Sequence, residues 1–165
     1  MGERFVCENA KQFLVCRAGW MMGGGPKKDK KFIQKLMKQI KDGKKELFIV
    51  NDKDGTPTYT HDFAKTVKEL IKKEYWGLYN CVCGGQTSRF EVAKELINIL
   101  GIEDVIKLTS VESEYFKEIY YAQRPPSERL LTKKLDHRKI KKIRNWKVSL
   151  KKYINNYYNG YLDEK

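Results

Sequence analysis

Three places in this chain combine residue types and spacing that could do chemistry. The first is the glycine-rich run Gly19-Trp20-Met21-Met22-Gly23-Gly24-Gly25-Pro26-Lys27-Lys28. Backbone N–H groups in such a run could cradle phosphate. A Walker loop, however, ends in Gly-Lys followed by a hydroxyl residue that holds Mg²⁺. Here Pro26 follows the glycines and removes a donor, and no Ser or Thr comes next, so a P-loop is rejected. The dinucleotide fingerprint G-x-G-x-x-G is also absent from this position. Two readings stay open: a plain connection, or a ligand loop at the carboxyl end of a strand, where open α/β sheets bind ligands.

The second place is Cys81 and Cys83, two thiols on one face of an expected strand. Tetrahedral zinc takes about four ligands, and the two histidines, His61 and His137, lack metal-ligand spacing with a cysteine. A nucleophilic cysteine needs an adjacent base, and nothing in the sequence places one. Both are read as small buried residues, and no catalytic or metal-binding residue is assigned. The third place is Arg124-Pro125-Pro126. Two prolines hold the backbone extended, and an arginine on rigid backbone can bind phosphate through two N–H groups. A surface turn with an incidental arginine is the other reading.

An α/β framework must position these groups, because short apolar runs alternate with amphipathic segments. Residues 2–10 read as the tail of a helix, and residues 13–16 as a buried strand entering the glycine-rich loop. A helix over 30–42 carries Phe32, Ile33, Leu36, Met37 and Ile40 on one face, with Gly43 at its cap. A second strand spans 47–50, residues 51–55 turn the chain, and Pro57 keeps 56–60 extended. The next helix has Phe63, Ala64, Val67, Leu70 and Ile71 as its apolar stripe. A third strand is expected over 78–83, ended by Gly84-Gly85. Ser88-Arg89-Phe90-Glu91 forms a capping box, opening a helix that stops at Gly101. A strand over 105–108 follows, then a second capping box at Thr109-Ser110-Val111-Glu112 and a short helix with Phe116, Ile119 and Tyr120. The last helix carries Trp146, Leu150, Tyr153, Ile154 and Tyr157 on one stripe. With no internal repeat and no linker, residues 1–165 are read as one unit. A first strand that arrives only at residue 13, after a helix with nothing to pack on, implies that the sequence enters a larger fold partway.

The formal charge is +13, from 34 Lys+Arg against 21 Asp+Glu. Such an excess first points to nucleic acid, but its distribution does not. Residues 27–45 carry a net +7 and residues 129–152 a net +10, and the remainder is slightly acidic. The excess is mostly lysine, and arginine is the better reader of base edges. These blocks are read as solvated faces. Hydrophobic residues make up 41% of the chain, enough for a core and too many for a disordered basic tail. No apolar run approaches the ~18 residues of a membrane span, and no secretory leader is visible. Four scattered cysteines make no disulfide framework and fit a reducing cytoplasm.

Taken in order, several segments resemble one family. Val15-Cys16-Arg17-Ala18-Gly19-Trp20-Met21-Met22-Gly23 resembles the V-x-R-x-x-W-x-x-G of dTDP-4-dehydrorhamnose reductases, extended short-chain dehydrogenases that act on nucleotide sugars. Residues 51–64 resemble D-x-x-G-x-P-T-Y-x-x-D-L-A, and Gly77-Leu78-Tyr79-Asn80 followed by Thr87-Ser88 resembles G-x-Y-H/N and its sequel. Arg124-Pro125 through Leu130 to Lys134-Leu135 resembles R-P-x-x-S-x-L-x-x-x-K-L, and Asn145-Trp146 through Tyr153-Ile154 resembles the closing helix. The resemblance runs from Gly2 to about Tyr157.

It implies the C-terminal portion of an extended short-chain dehydrogenase fold: the last parallel strands plus a small substrate-binding subdomain. It implies NAD(P)H as cofactor of the complete enzyme and a dTDP-sugar as substrate. Arg17, Ala18 and Gly19 would end a strand beside the nicotinamide. Trp20 would pack on the sugar or close the pocket, Gly23 and Phe32 would shape the nucleotide end, and Arg124 would contact the diphosphate. Tyr59 and Asp62 would be structural. Glu128 stands where the family has Ser, and a carboxylate there would repel a diphosphate unless turned away. The cofactor fingerprint and the catalytic Tyr-x-x-x-Lys are missing, since Gly2-Glu3 matches the pair that follows that lysine. The literal Tyr161…Lys165 is read as coincidence. The chain alone is therefore expected to bind cofactor poorly and not to turn over, and to work with an N-terminal partner portion or as a homo-oligomer. The alternatives are a non-catalytic regulatory or protein-interaction module of the same fold and, behind it, a basic nucleic-acid binder.

Overall fold

The computed structural model describes residues 2–119, 125–141 and 143–163. In chain order the elements are α1 (Gly2–Asn9), β1 (Leu14–Arg17), β2 (Trp20–Met22), α2 (Gly25–Lys28), α3 (Phe32–Lys41) and β3 (Glu46–Val50). Then come β4 (Asp54–Gly55), β5 (Pro57–Tyr59), α4 (Thr60–Lys72), β6 (Gly77–Asn80), β7 (Thr87–Ser88) and α5 (Arg89–Leu100). The chain ends with β8 (Lys107–Val111), a 3₁₀ turn (Ser113–Phe116), α6 (Lys133–His137) and α7 (Trp146–Tyr157).

Parallel pairs need a crossover between partners, and the helices supply it. β1 pairs with β6, from Leu14↔Gly77 to Arg17↔Asn80. β2 pairs with β5, from Trp20↔Pro57 to Met22↔Tyr59. β3 pairs with β8, from Glu46↔Lys107 to Val50↔Val111. The antiparallel exception is the short β4–β7 pair. The α/β class with parallel strands is as expected. One core runs through these layers, with Met37, Leu47, Tyr59, Leu70, Tyr79, Leu96 and Leu150 fully buried. α5 is capped as read: the Glu91 N–H donates to Ser88 Oγ at 3.2 Å, and Gly101 ends the helix at φ 66°.

Several local expectations change. The glycine-rich loop is not irregular throughout: β2 and the single turn of α2 lie inside it, because residues 20–22 find partners in β5 and Pro26 sits at the start of a helical turn. β4 lies within the expected turn 51–55. β6 ends at Asn80, so Cys81 and Cys83 are buried but follow the strand; β1 stops at Arg17, and the last ladder bond runs from the Cys81 N–H to the Arg17 carbonyl. The strand expected over 105–108 begins at Lys107 and runs on to Val111, leaving Val105 exposed. Thr109 is therefore not a cap: its hydroxyl donates to Glu46 Oε1 across the β3–β8 ladder, and only a 3₁₀ turn follows. Tyr120 lies outside the described residues.

The largest change concerns α4. Its buried residues are Asp62, Thr66 and Leu70, while Ile71 is 51% exposed. The helix turns this face inward because Asp62 has partners far along the chain. Its carboxylate accepts from Arg144 Nη2 at 2.8 Å and from Ser149 Oγ at 2.9 Å. The Thr66 hydroxyl donates back to the Asp62 carbonyl at 3.0 Å. A carboxylate so buried needs such compensation. A second polar tie joins the loop before α3 to α7: the Tyr153 hydroxyl donates to Asp29 Oδ2 at 2.8 Å, and Asp29 Oδ1 accepts from the Lys31 N–H at 2.9 Å. Beside it, Tyr158 donates to Gln34 Oε1 at 2.8 Å, and burial pushes its phenol up to about 12.

The thiols divide by depth. Cys7 is exposed, Cys16 half-buried, and Cys81 and Cys83 buried. A hydrogen bond with Cys81 holds the Cys16 thiol below its ordinary range; the same bond and burial raise Cys81. Burial likewise raises Cys83, which donates to Ser149 Oγ at 3.4 Å.

Asp62→Ala leaves Arg144 and Ser149 without their acceptor, and is expected to cost about 3 kcal/mol and lower Tm by roughly 10 °C in a thermal melt. Under native alkylation followed by peptide mass mapping, Cys7 is expected to label first and Cys16 next, with Cys81 and Cys83 labelled only on unfolding. Early labelling of Cys83 would contradict this packing.

Candidate functional site

The β2–β5 pairing puts Trp20 at the centre of the site. Its N–H donates to the Thr56 carbonyl at 2.9 Å. Its ring lies so close to Gly55 that a Cβ there would meet it at 2.2 Å, so only glycine fits. The indole Nε1 donates to Glu128 Oε2 at 2.7 Å. Glu128 is brought there because residues 126–128 run alongside β4: the Asp54 N–H donates to the Pro126 carbonyl at 2.9 Å, and the Glu128 N–H to the Asp54 carbonyl at 2.8 Å. Its carboxylate is thus turned onto an indole donor. Arg89, the first residue of α5, lays its guanidinium over the Trp20 ring at 4.5 Å and over the Phe32 ring at 5.2 Å. These three side chains, with Met21, Met22, Ile33, Pro57 and Val92, line a slot of only about 20 Å³. That is room for little more than one water molecule; the side chains themselves fill the slot.

A second group lies at the carboxyl ends of β1 and β6. Arg17 forms an exposed ion pair with Glu3, with Nε 3.0 Å from Oε1, and the guanidinium holds the Glu3 carboxyl below the usual range. The Gly19 N–H donates to Thr58 Oγ1 at 3.2 Å. Across from Arg17, Asn80 donates to the Leu131 carbonyl at 2.9 Å. Among the described residues, its buried Oδ1 has no hydrogen-bond partner, and neither has the buried Tyr79 hydroxyl.

Of the residues singled out by sequence, Trp20 and Phe32 come together in the slot. Gly23 closes β2, where a Cβ would strike Thr60 at 2.0 Å. Arg17, Ala18 and Gly19 stand at the end of β1. Arg124 lies outside the described residues. Arg89 and Glu128 join the site although neither was assigned to it. Arg89 could be read only as part of a capping box, because its ring partners sit on distant elements.

A Cβ at Gly23, Gly24 or Gly25 would meet Thr60, Lys28 or Tyr157 respectively. Tyr161 is engaged elsewhere, accepting from Gln34 Nε2 at 3.3 Å with Lys41 Nζ over its ring at 4.5 Å. Among the described residues, no helix is long and apolar enough to cross a membrane, and no three His, Cys, Asp or Glu side chains gather as metal ligands.

With this geometry in view, the relatives are informative. The family described as RmlD substrate binding domain matches residues 1–159. The spore coat polysaccharide biosynthesis protein SpsK of Bacillus subtilis is 28% identical over 158 residues, 93% of this chain and 51% of that protein. A dTDP-4-dehydrorhamnose reductase structure from Clostridium acetobutylicum superposes with a TM-score of 0.83 at 32% identity, covering 94% of this chain and 52% of the other. The Bacillus anthracis reductase of the same name, solved in complex with NADP, superposes with a TM-score of 0.84 at 23% identity, a likeness of fold. It too is covered over 52% of its length. The chain spans about half the length of the curated relatives it matches.

Proposed function

The chain belongs to the RmlD substrate binding domain family, and on that footing we propose that it holds a dTDP-sugar for reduction by a nicotinamide cofactor bound mainly by sequence outside these 165 residues. The observation that carries this reading is the slot of Trp20 and Phe32. The resemblance assigns both residues to the substrate, and here they meet across one small cavity. A flat indole fixed by Glu128 offers an apolar face to a sugar or base, while Gly23 keeps the adjoining backbone tight.

In this reading Arg17, Ala18 and Gly19 border the nicotinamide, and Arg124 meets the diphosphate. When bound, NAD(P)H supplies hydride to the sugar's 4-keto carbon. This chain's residues bind and orient the sugar nucleotide and exclude water from it. The close packing of side chains at Gly23, Gly24 and Gly25 and the engaged Tyr161 support placing the cofactor cradle and the proton donor elsewhere.

Calorimetric titration of the 165-residue chain with dTDP tests the proposal. Saturable binding is expected, with no chain-dependent NADPH oxidation when a dTDP-4-keto sugar is added. Absence of dTDP binding would overturn it, and equal, steeply salt-dependent binding to heparin and duplex DNA would then assign the charge to nonspecific contacts. Chain-dependent NADPH consumption would overturn the assignment of cofactor binding to other sequence.

A further inference from the structure

We propose that Arg89 is a substrate-binding residue that reads the diphosphate of the nucleotide, with Trp20 and Phe32 as the platform that aims it. This rests on the substrate reading above and adds to it a residue that neither the motif resemblance nor any spacing assigned. The argument begins with how the side chain is held. A guanidinium that lies over aromatic rings binds through its face. Its N–H donors lie in the plane of the group, in the fork that matches two phosphate oxygens. Two rings, with centroids 4.5 Å and 5.2 Å from its central carbon, hold the group at the slot, so a flexible side chain loses less freedom on gripping a ligand than it would from solvent.

The platform is itself fixed. Trp20 is pinned on one side by Gly55 and at its nitrogen by Glu128. The same hydrogen bond leaves Glu128 its negative charge, so a diphosphate can be met here only through a neighbouring cation. Glu128 spends an oxygen on the indole N–H, and the cation resting on that indole is Arg89. The three side chains thus form a relay in which the carboxylate orients a ring and the ring orients a cation. The slot is nearly full without ligand, so a sugar nucleotide must lie along the rim that Trp20, Phe32 and Arg89 form, which is where a fork-shaped donor is of use. Arg89 is half-buried and within reach of that rim. The two lysine-rich blocks, by contrast, have no such platform in the slot.

The test uses the 165-residue chain and two probes, dTDP and thymidine, which differ only in the diphosphate. Arg89→Met keeps the apolar stem and removes the charge; Arg89→Lys keeps the charge and removes the fork. Both variants are first checked for native circular dichroism and melting, and Arg89→Lys serves as the measurement if the Met variant does not fold.

Arg89→Met is expected to weaken dTDP binding at least about tenfold, while thymidine binding changes by less than about twofold. The salt dependence of dTDP binding should become shallower, and Arg89→Lys should fall between wild type and Met. If Arg89→Met binds dTDP as wild type does, or loses dTDP and thymidine equally, the inference is overturned and Arg89 only shapes the slot. If the wild-type chain binds no dTDP, the substrate reading falls, and this inference falls with it.

Discussion

The constraint on which the site depends is a three-residue parallel pairing, Trp20 to Met22 against Pro57 to Tyr59. It lifts what would otherwise be a glycine-rich connection into ordered backbone and sets the direction of the Trp20 side chain. It also presses Gly19 against Thr58 and Gly23 against Thr60. β5 in turn is held by α7, whose Tyr153 packs on Tyr59 with ring centroids 5.6 Å apart. A short pairing of this kind would be marginal alone. Its stability comes from the buried surface around it, with Met22 and Tyr59 both inside the core.

Two buried carboxylates divide the work of holding this arrangement. Asp62 joins α4 to Arg144 and to Ser149 of α7, and Asp29 joins the approach to α3 to Tyr153 of the same helix. α7 is therefore a common partner for segments from the first half of the chain. Both carboxylates are hydrogen-bonded by donors from afar, which fixes the helices' rotation as well as their position. That rotation leaves the more apolar side of α4, with Phe63, Val67 and Ile71, lining an open surface groove.

Elements whose signals are local were legible in the sequence. α5 carries its own cap in Ser88 and its own stop in Gly101; β3 is a short apolar run flanked by polar residues; α7 shows its stripe from Trp146 to Ile154. Elements defined by distant partners were not. β2 and β4 are too short to show periodicity and exist because residues 57–59 and 87–88 come to lie beside them. The orientation of α4 was misread because hydrophobicity outweighs one aspartate in a sequence pattern, whereas in the fold Asp62 has two dedicated partners. In the candidate slot, Trp20 and Phe32 were named by the family resemblance, Trp20 within a quoted motif and Phe32 outside one. Arg89 was hidden inside a capping box, since a cation over two rings leaves no trace in sequence spacing.

The topology also dictates an order of events during folding. Among the described residues, each of the four strand pairings encloses at least one whole helix, and none is a hairpin. Within these residues, β1, β2 and β3 each emerge before the strand they pair with. Helices α3 and α4 can form on their own hydrogen bonds, but β3 waits for Lys107 to Val111, and Asp62 waits for Arg144 and Ser149. Contacts so far apart in sequence slow the approach to the native state. They also keep the apolar strand Leu47-Phe48-Ile49-Val50 without its β8 partner until Lys107 to Val111 have been made, so the burden of this architecture falls on its biogenesis as much as on its finished stability.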